Sequence, residues 1–252
     1  MNPVAHAQPE SSILMPGRNA WRIARADALA FLVDGEEYFH ALDKTLRTAR
    51  RSIRIVGWDF NPEIRLRPHE GGEKLGAFLR GLVERAPELE IHILVWAMGP
   101  IYSSRSLKVF RRDGWSNHPR IHLHFDGRHA LRGSHHQKIV TVDDAIAFVG
   151  GIDLTAGRWD TARHPPHCPD RTRPNGKPYG PVHDVQAMFG GAPARAVADL
   201  ARWRWRLATG TAVEPVTDPR AGWPAEVPAD MEGCTAAVAR AIPAISGLDE
   251  RR

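Results

Sequence analysis

The sequence predicts an α/β protein, a mixed β-sheet flanked by helices, and three observations carry that prediction. Apolar β-rich runs alternate with amphipathic helical stretches from residue 28 onward. No hairpin turn separates the early runs, so strand, helix and strand must follow a parallel crossover. Two later runs, 135–142 and 145–150, meet so tightly at Asp143-Asp144 that they read as an antiparallel hairpin in the same sheet.

The first strand is the run Ala28 to Val33, closed by the turn Asp34-Gly35. Glu36 to Arg51 then sets Phe39, Leu42, Leu46 and Ala49 at helical spacing, with acids in the first turn and arginines in the last. Ser52 to Trp58 is the second strand, Glu73 to Ala86 the second helix and Ile91 to Trp96 the third strand. A short helix is expected over 104–112. In the strand 120–125, His122 and His124 alternate with apolar residues and read as solvent-facing. Residues 161–183 hold six prolines and no periodicity, so they read as a loop. A strand over 184–189 and a helix over 194–207 complete the pattern, with Trp203 packing beside Leu200 and Leu207 while Trp205 is left for a partner interface. Beyond Gly210 only 234–240 has strand character, with nothing evident to pair with. The organisation expected is a polar lead-in over 1–26, one domain over 27–210, and a linker with the start of a further unit over 211–252.

Composition sets limits on function. With 42 % hydrophobic and 25 % charged residues, a buried core is affordable and wholesale disorder is not expected. The formal charge of +5 suits an anionic partner without specifying one. Cys168 and Cys234 form no CxxC pattern, which points to a reducing compartment. No run of 18 apolar residues is present, and the first residues lack the layout of a signal peptide. The location expected is cytoplasmic, or peripheral on the inner membrane face.

The chemistry concentrates in 134–160. His136-x-Lys138-x4-Asp143 places a His and a Lys two apart, on one face of an extended segment, followed by Gly150-Gly151-Ile152-Asp153. An ammonium beside an imidazole disfavours a metal but favours an oxyanion. The Lys neutralises phosphate oxygens and a neutral imidazole can attack phosphorus. Asp143 is expected to receive a ring N–H and fix the tautomer. Gly150 and Gly151 clear room for a backbone or a substrate. His164, His167, Cys168, Asp170 and His183 invite a metal reading, but their spacing fits no usual zinc pattern, and a flexible loop rimming the site is expected instead.

In these residues the chain resembles the phospholipase D superfamily. His136, Lys138, Asp143, Gly150 and Gly151 match its HKD signature, and Gly157-Arg158-Trp159-Asp160, Gly57-Trp58-Asp59-Phe60 and Val182-His183-Asp184-Val185 extend the likeness over roughly 18–210. Related nucleases and cardiolipin synthases more often carry Ser or Asn where this chain has Gly151 and Asp153. The resemblance implies a single HKD domain and phosphodiester exchange on glycerophospholipids, by hydrolysis or transphosphatidylation. His136 would form a phosphohistidine, Lys138 would hold the phosphoryl oxygens, and Asp184 would steady the histidine of an opposite motif. It implies no metal and no cofactor. The sequence holds no second H-x-K-x4-D, so it resembles the N-terminal half of a two-motif phospholipase D, truncated or split. The partners implied are a phospholipid at a membrane surface and a second HKD half or an identical subunit. A homodimeric HKD nuclease is the alternative, although nucleic acid is not the expected partner because no arginine- and aromatic-interleaved stretch supports it. A catalytically incomplete remnant is a third possibility.

Overall fold

The computed structural model describes residues 13–97, 114–128, 133–219 and 221–241, and the helix expected over 104–112 lies outside them. Strand β1 (Arg22–Val33) leads into helix α1 (Asp34–Thr48), β2 (Ser52–Gly57), α2 (Leu75–Arg85), β3 (Glu90–Trp96) and β4 (Ile121–Asp126). The hairpin β5 (Ile139–Val142) and β6 (Ile146–Gly150) follows, then β7 (Val185–Gly191), α3 (Ala192–Thr209), β8 (Met231–Glu232) and β9 (Thr235–Val238). One mixed sheet runs β4-β3-β2-β5-β6-β7-β1-β8, with β9 also on β1. β2, β3 and β4 are parallel, and every pair from β2-β5 through β7-β1 is antiparallel. β1 and β2 therefore run the same way, as the crossover rule requires, with three strands lying between them.

The helices end where their chemistry says they should. Glu36 and Glu37 sit in the first turn of α1, and Glu37 Oε2 accepts the Val33 N–H at 2.8 Å. Pro193 opens α3, and Gly210 closes it in a left-handed conformation. α1 and α2 pack on one face of the sheet, where Leu42, Leu46, Phe78 and Leu79 meet Ile53, Ile55, Ile91 and Val140. α3 covers the other face, laying Val197, Leu200 and Trp205 over Val56, Leu94, Ile139 and Phe189.

Three expectations about exposure are corrected here. Trp205, assigned to a partner interface, is buried against the sheet with its ring edge-on to His92 at 4.8 Å, while Trp203 lies partly exposed under Arg240. The helix is phased by the buried pair of Arg204 with Asp126, which turns its neighbour Trp205 inward. His122 and His124 are half-covered rather than free in solvent: His122 stacks on His92, and His124 meets the Trp205 edge. The tail strand does have a partner. β9 pairs antiparallel with Arg22–Arg25, and Asp230 Oδ2 accepts the Phe31 N–H at 2.7 Å. Among the described residues no helix is long and apolar enough to cross a membrane.

Candidate active site

The hairpin turn organises the site. Asp143 and Asp144 both take left-handed φ values, 49° and 55°, and the Ala145 N–H donates to Val142 O at 3.0 Å. Two successive left-handed residues make the tight turn whose twist suits a hairpin, a place usually held by Asn-Gly. Here the carboxylates hold it. Asp143 Oδ2 accepts the Arg50 N–H at 2.9 Å, and its Oδ1 accepts those of Arg51 and Ser52, each at 2.8 Å. Asp144 pairs with the buried Arg54 and with Arg202. The Asp143 carboxylate is therefore taken up by backbone amides and not, as its place in the motif suggested, by the His136 imidazole. It is fully buried and fastens the turn to the segment entering β2.

β5 starts at Ile139, so His136 and Lys138 lie in the extended lead-in rather than on the strand itself. The ladder with β2 stops at Val56–Ile139 because the next amides of that chain turn elsewhere. The N–H groups of Trp58 and Asp59 donate to Asp153 Oδ1, at 3.0 and 3.4 Å. Asp153 Oδ2 then faces Lys138 Nζ at 3.0 Å, and both side chains are almost completely buried. Gly57 permits this approach, since a Cβ there would come within 3.2 Å of Asp153 Oδ1. The lysine is held in place by a carboxylate that two backbone amides hold in turn.

His136 is exposed at the mouth of this arrangement, beside the edge of Trp58 at 6.1 Å between ring centres, and Trp58 itself stacks on Trp96. Its imidazole is held below its ordinary value, first by desolvation, then by the charges of Lys138 and Arg158, with Asp153 and Asp184 pulling the other way. A lowered value keeps the ring neutral with a free lone pair near neutral pH, the state a nucleophile requires. His136 and Lys138 share a cavity of about 580 Å³ whose other walls include Ile139, Val149, Val197 and Leu200.

The glycine pair has two separate reasons. A Cβ on Gly150 would lie 2.3 Å from Val185 O, so β7 could not close on β6. A Cβ on Gly151 would lie 2.0 Å from Asp184 Oδ1. Gly151 thus makes the room in which the Asp184 carboxylate rests, and Asp184 acts electrostatically on His136. Sequence reasoning gave no role to Trp58 or Arg158. Their only signal was membership in the Gly-Trp-Asp-Phe and Gly-Arg-Trp-Asp stretches.

The loop 161–183 is built around charge. Arg171, 1 % exposed, meets Asp160 Oδ2 at 3.0 Å and also bonds the Pro165 and Pro166 carbonyls. Asp160 further accepts from Val182 N–H and meets His164 Nδ1 at 3.0 Å. His164 and His183, singled out in the sequence, do converge, but on Asp34: His164 Nε2 lies 3.1 Å from Oδ2 and His183 Nδ1 lies 2.9 Å from Oδ1. His183 Nδ1 hydrogen-bonds Asp34 Oδ1, whereas the His164 contact is a charge pairing that leaves Oδ2 without a hydrogen bond. His167, Cys168 and Asp170 do not join them.

Comparisons with known proteins supply the family. The chain is 30 % identical over 224 residues to phospholipase D1 of Saccharomyces cerevisiae, a match that covers 70 % of this chain and 13 % of the yeast protein. Against phospholipase D B of Dictyostelium discoideum it is 30 % identical, covering 72 % of this chain and 17 % of that protein. The chain thus spans less than a fifth of either relative. Phosphatidylserine synthase of Haemophilus influenzae Rd KW20 shares the fold with a TM-score of 0.52 at 13 % identity, over 81 % of this chain and 43 % of that one. The phospholipase D family profile matches residues 45–223, from α1 through the His136–Lys138 site and past α3, and the chain belongs to the phospholipase D family.

Proposed function

We propose that the chain is a phospholipase D-type phosphodiesterase that acts on glycerophospholipids through a phosphohistidine on His136, in a site that a second HKD half completes. The observation that carries this reading is the neutral, exposed His136 beside a buried Lys138 that Asp153 clamps. The imidazole nitrogen attacks phosphorus, the P–O bond to the headgroup alcohol breaks, and Lys138 stabilises the charge that builds on the nonbridging oxygens. The departing alkoxide needs a proton, and the intermediate then needs an activated water or alcohol to release it as phosphatidic acid or a new ester. Microscopic reversibility assigns both tasks to one further acid–base group, and a second histidine opposite His136 is the natural supplier.

Two surfaces support the reading. The cavity beside His136 has both polar walls, among them Gln137, Lys138 and Arg240, and apolar ones, among them Val149, Val197 and Leu200, a mixture that suits a phosphate joined to a glycerol backbone and acyl chains. Phe31, Val185 and Met231 are exposed on the sheet face that α3 leaves uncovered, and Ala187, which pairs with Phe31, also pairs with Val149 of the cavity wall. An uncovered apolar face continuous with a half-built site suits a second HKD half. This reading places the protein at a membrane surface, peripheral on the inner face.

The decisive experiment measures choline release from phosphatidylcholine vesicles with this chain, a separately expressed second half, and the two mixed. Activity should appear in the mixture and vanish when His136→Asn replaces the native chain. No activity in any mixture overturns the reading. Salt-dependent cleavage of DNA by the chain alone would instead establish the homodimeric nuclease.

A further inference from the structure

We propose that Glu90, His92 and His122 form a binding site for a divalent transition metal, zinc being the best fit, that staples the edge strand β4 to β3. Glu90 and His92 are two apart on β3 and so share a face, and the parallel register sets His92 directly beside His122. The two imidazoles stack with ring centres 4.6 Å apart, and one ligand atom from each of the three residues lies within 4.8 Å of the others.

Distances separate this cluster from the Asp34–His164–His183 group beside the active site. There His183 Nδ1 already hydrogen-bonds Asp34 Oδ1 at 2.9 Å, His164 Nε2 lies 3.1 Å from Oδ2, and the other ring nitrogen of His164 is taken by Asp160 at 3.0 Å. Here His92 Nε2 and His122 Nε2 stand 3.9 and 3.8 Å from the same Glu90 oxygen, too far for a hydrogen bond yet aimed at one point. Donors bound to one tetrahedral zinc at about 2.0–2.1 Å lie roughly 3.4 Å apart, so a small rotation of the half-exposed Glu90 side chain closes the set. The buried Nε2 of His122, the atom that faces Glu90, has no hydrogen-bond partner although the side chain is partly exposed. An unsatisfied polar atom so placed is costly, which is the independent sign of a missing ligand.

The surroundings admit a cation. Arg54 opposes a second positive charge, but Asp144 pairs with it and Glu90 adds a carboxylate. A groove of about 640 Å³ opens on the same residues between β3 and the end of α3, leaving a fourth position to solvent. Two imidazoles and a carboxylate favour zinc, nickel or copper over magnesium or calcium. None of the three residues touches the His136 site. The metal would act on the fold: among the described residues β4 pairs with β3 alone, and a clip across the pair secures that edge.

The test is calorimetric titration of zinc into the full chain, with thermal unfolding in parallel. The native chain should bind zinc and unfold at a higher temperature in its presence. Glu90→Gln and His122→Asn, both at partly exposed side chains that preserve shape, should each weaken binding by at least about tenfold and abolish that rise. His164→Asn and His183→Asn should leave both intact. Absence of zinc binding, unchanged affinity in both Glu90→Gln and His122→Asn, or loss only in the His164 and His183 variants, each overturns the proposal.

Discussion

At the scale of single residues, the charges around His136 make opposite and separable claims on its protonation. Lys138 and Arg158 lower it, Asp153 and Asp184 raise it, and desolvation lowers it most. An NMR titration should therefore find His136 titrating below the usual histidine value of about 6.5. Replacing Arg158 with Gln should move that value up, and replacing Asp184 with Asn should move it down. Under the proposed mechanism the acid limb of activity should follow both shifts, because a protonated imidazole cannot attack. Gly151 gives a steric counterpart. In Gly151→Ala the new methyl meets the Asp184 carboxylate, so about 1–3 kcal/mol of stability should be lost in denaturant titrations, with phosphodiesterase activity falling further than that loss explains.

At the scale of elements, the β5-β6 hairpin and the loop 161–183 are both tied down by carboxylates. Asp143→Ala removes an acceptor from three backbone N–H groups and should cost at least about 3 kcal/mol. Asp143→Asn, which keeps one acceptor oxygen, should recover part of it. Asp160 anchors the loop in a pH-dependent way. Burial alone would raise it, but His164, Val182, Thr161 and Arg171 together hold it below its ordinary value. Its contribution is thus complete above the unfolded carboxylate value of about 3.9 and is lost as pH falls through the lower folded value. Limited proteolysis should cut 161–183 only in that acid range, and Asp160→Asn should open the loop at neutral pH.

These same elements show what the sequence could disclose. α1, α2 and the strands followed from apolar spacing, which depends on neighbours a few residues away. The role of Asp143 did not, because spacing along the chain cannot say which distant amides a carboxylate will meet. The phase of α3 was misjudged for a similar reason. Trp203 and Trp205 are equally apolar, and the choice rests on Arg204 finding Asp126 on another strand. His136 and Lys138 were legible because two residues of extended chain are enough to set them side by side.

At the scale of the molecule, the uncovered face at Phe31, Val185 and Met231 makes a prediction about association. Sedimentation of an equimolar mixture with a second HKD half should show a complex. Phe31→Asp should abolish it while leaving the melting temperature within a few degrees, since Phe31 is half exposed already. Failure of that variant to disturb the complex would move the interface elsewhere.

The long first strand has a temporal consequence. β1 bonds to β7, β8 and β9, all drawn from the far end of the described chain, so its ladder closes only after nearly everything else exists. On a ribosome adding about 5–20 residues per second, Phe31 waits roughly 8 to 30 seconds for Ala187. Throughout that interval the segment ALAFLV stands as an unpaired apolar edge, the kind that recruits other chains or chaperones. Refolding should accordingly be slow and concentration-sensitive, as contact order implies. Pulsed hydrogen exchange should show β2 and β3 protected before β1, and simultaneous protection would remove the delay.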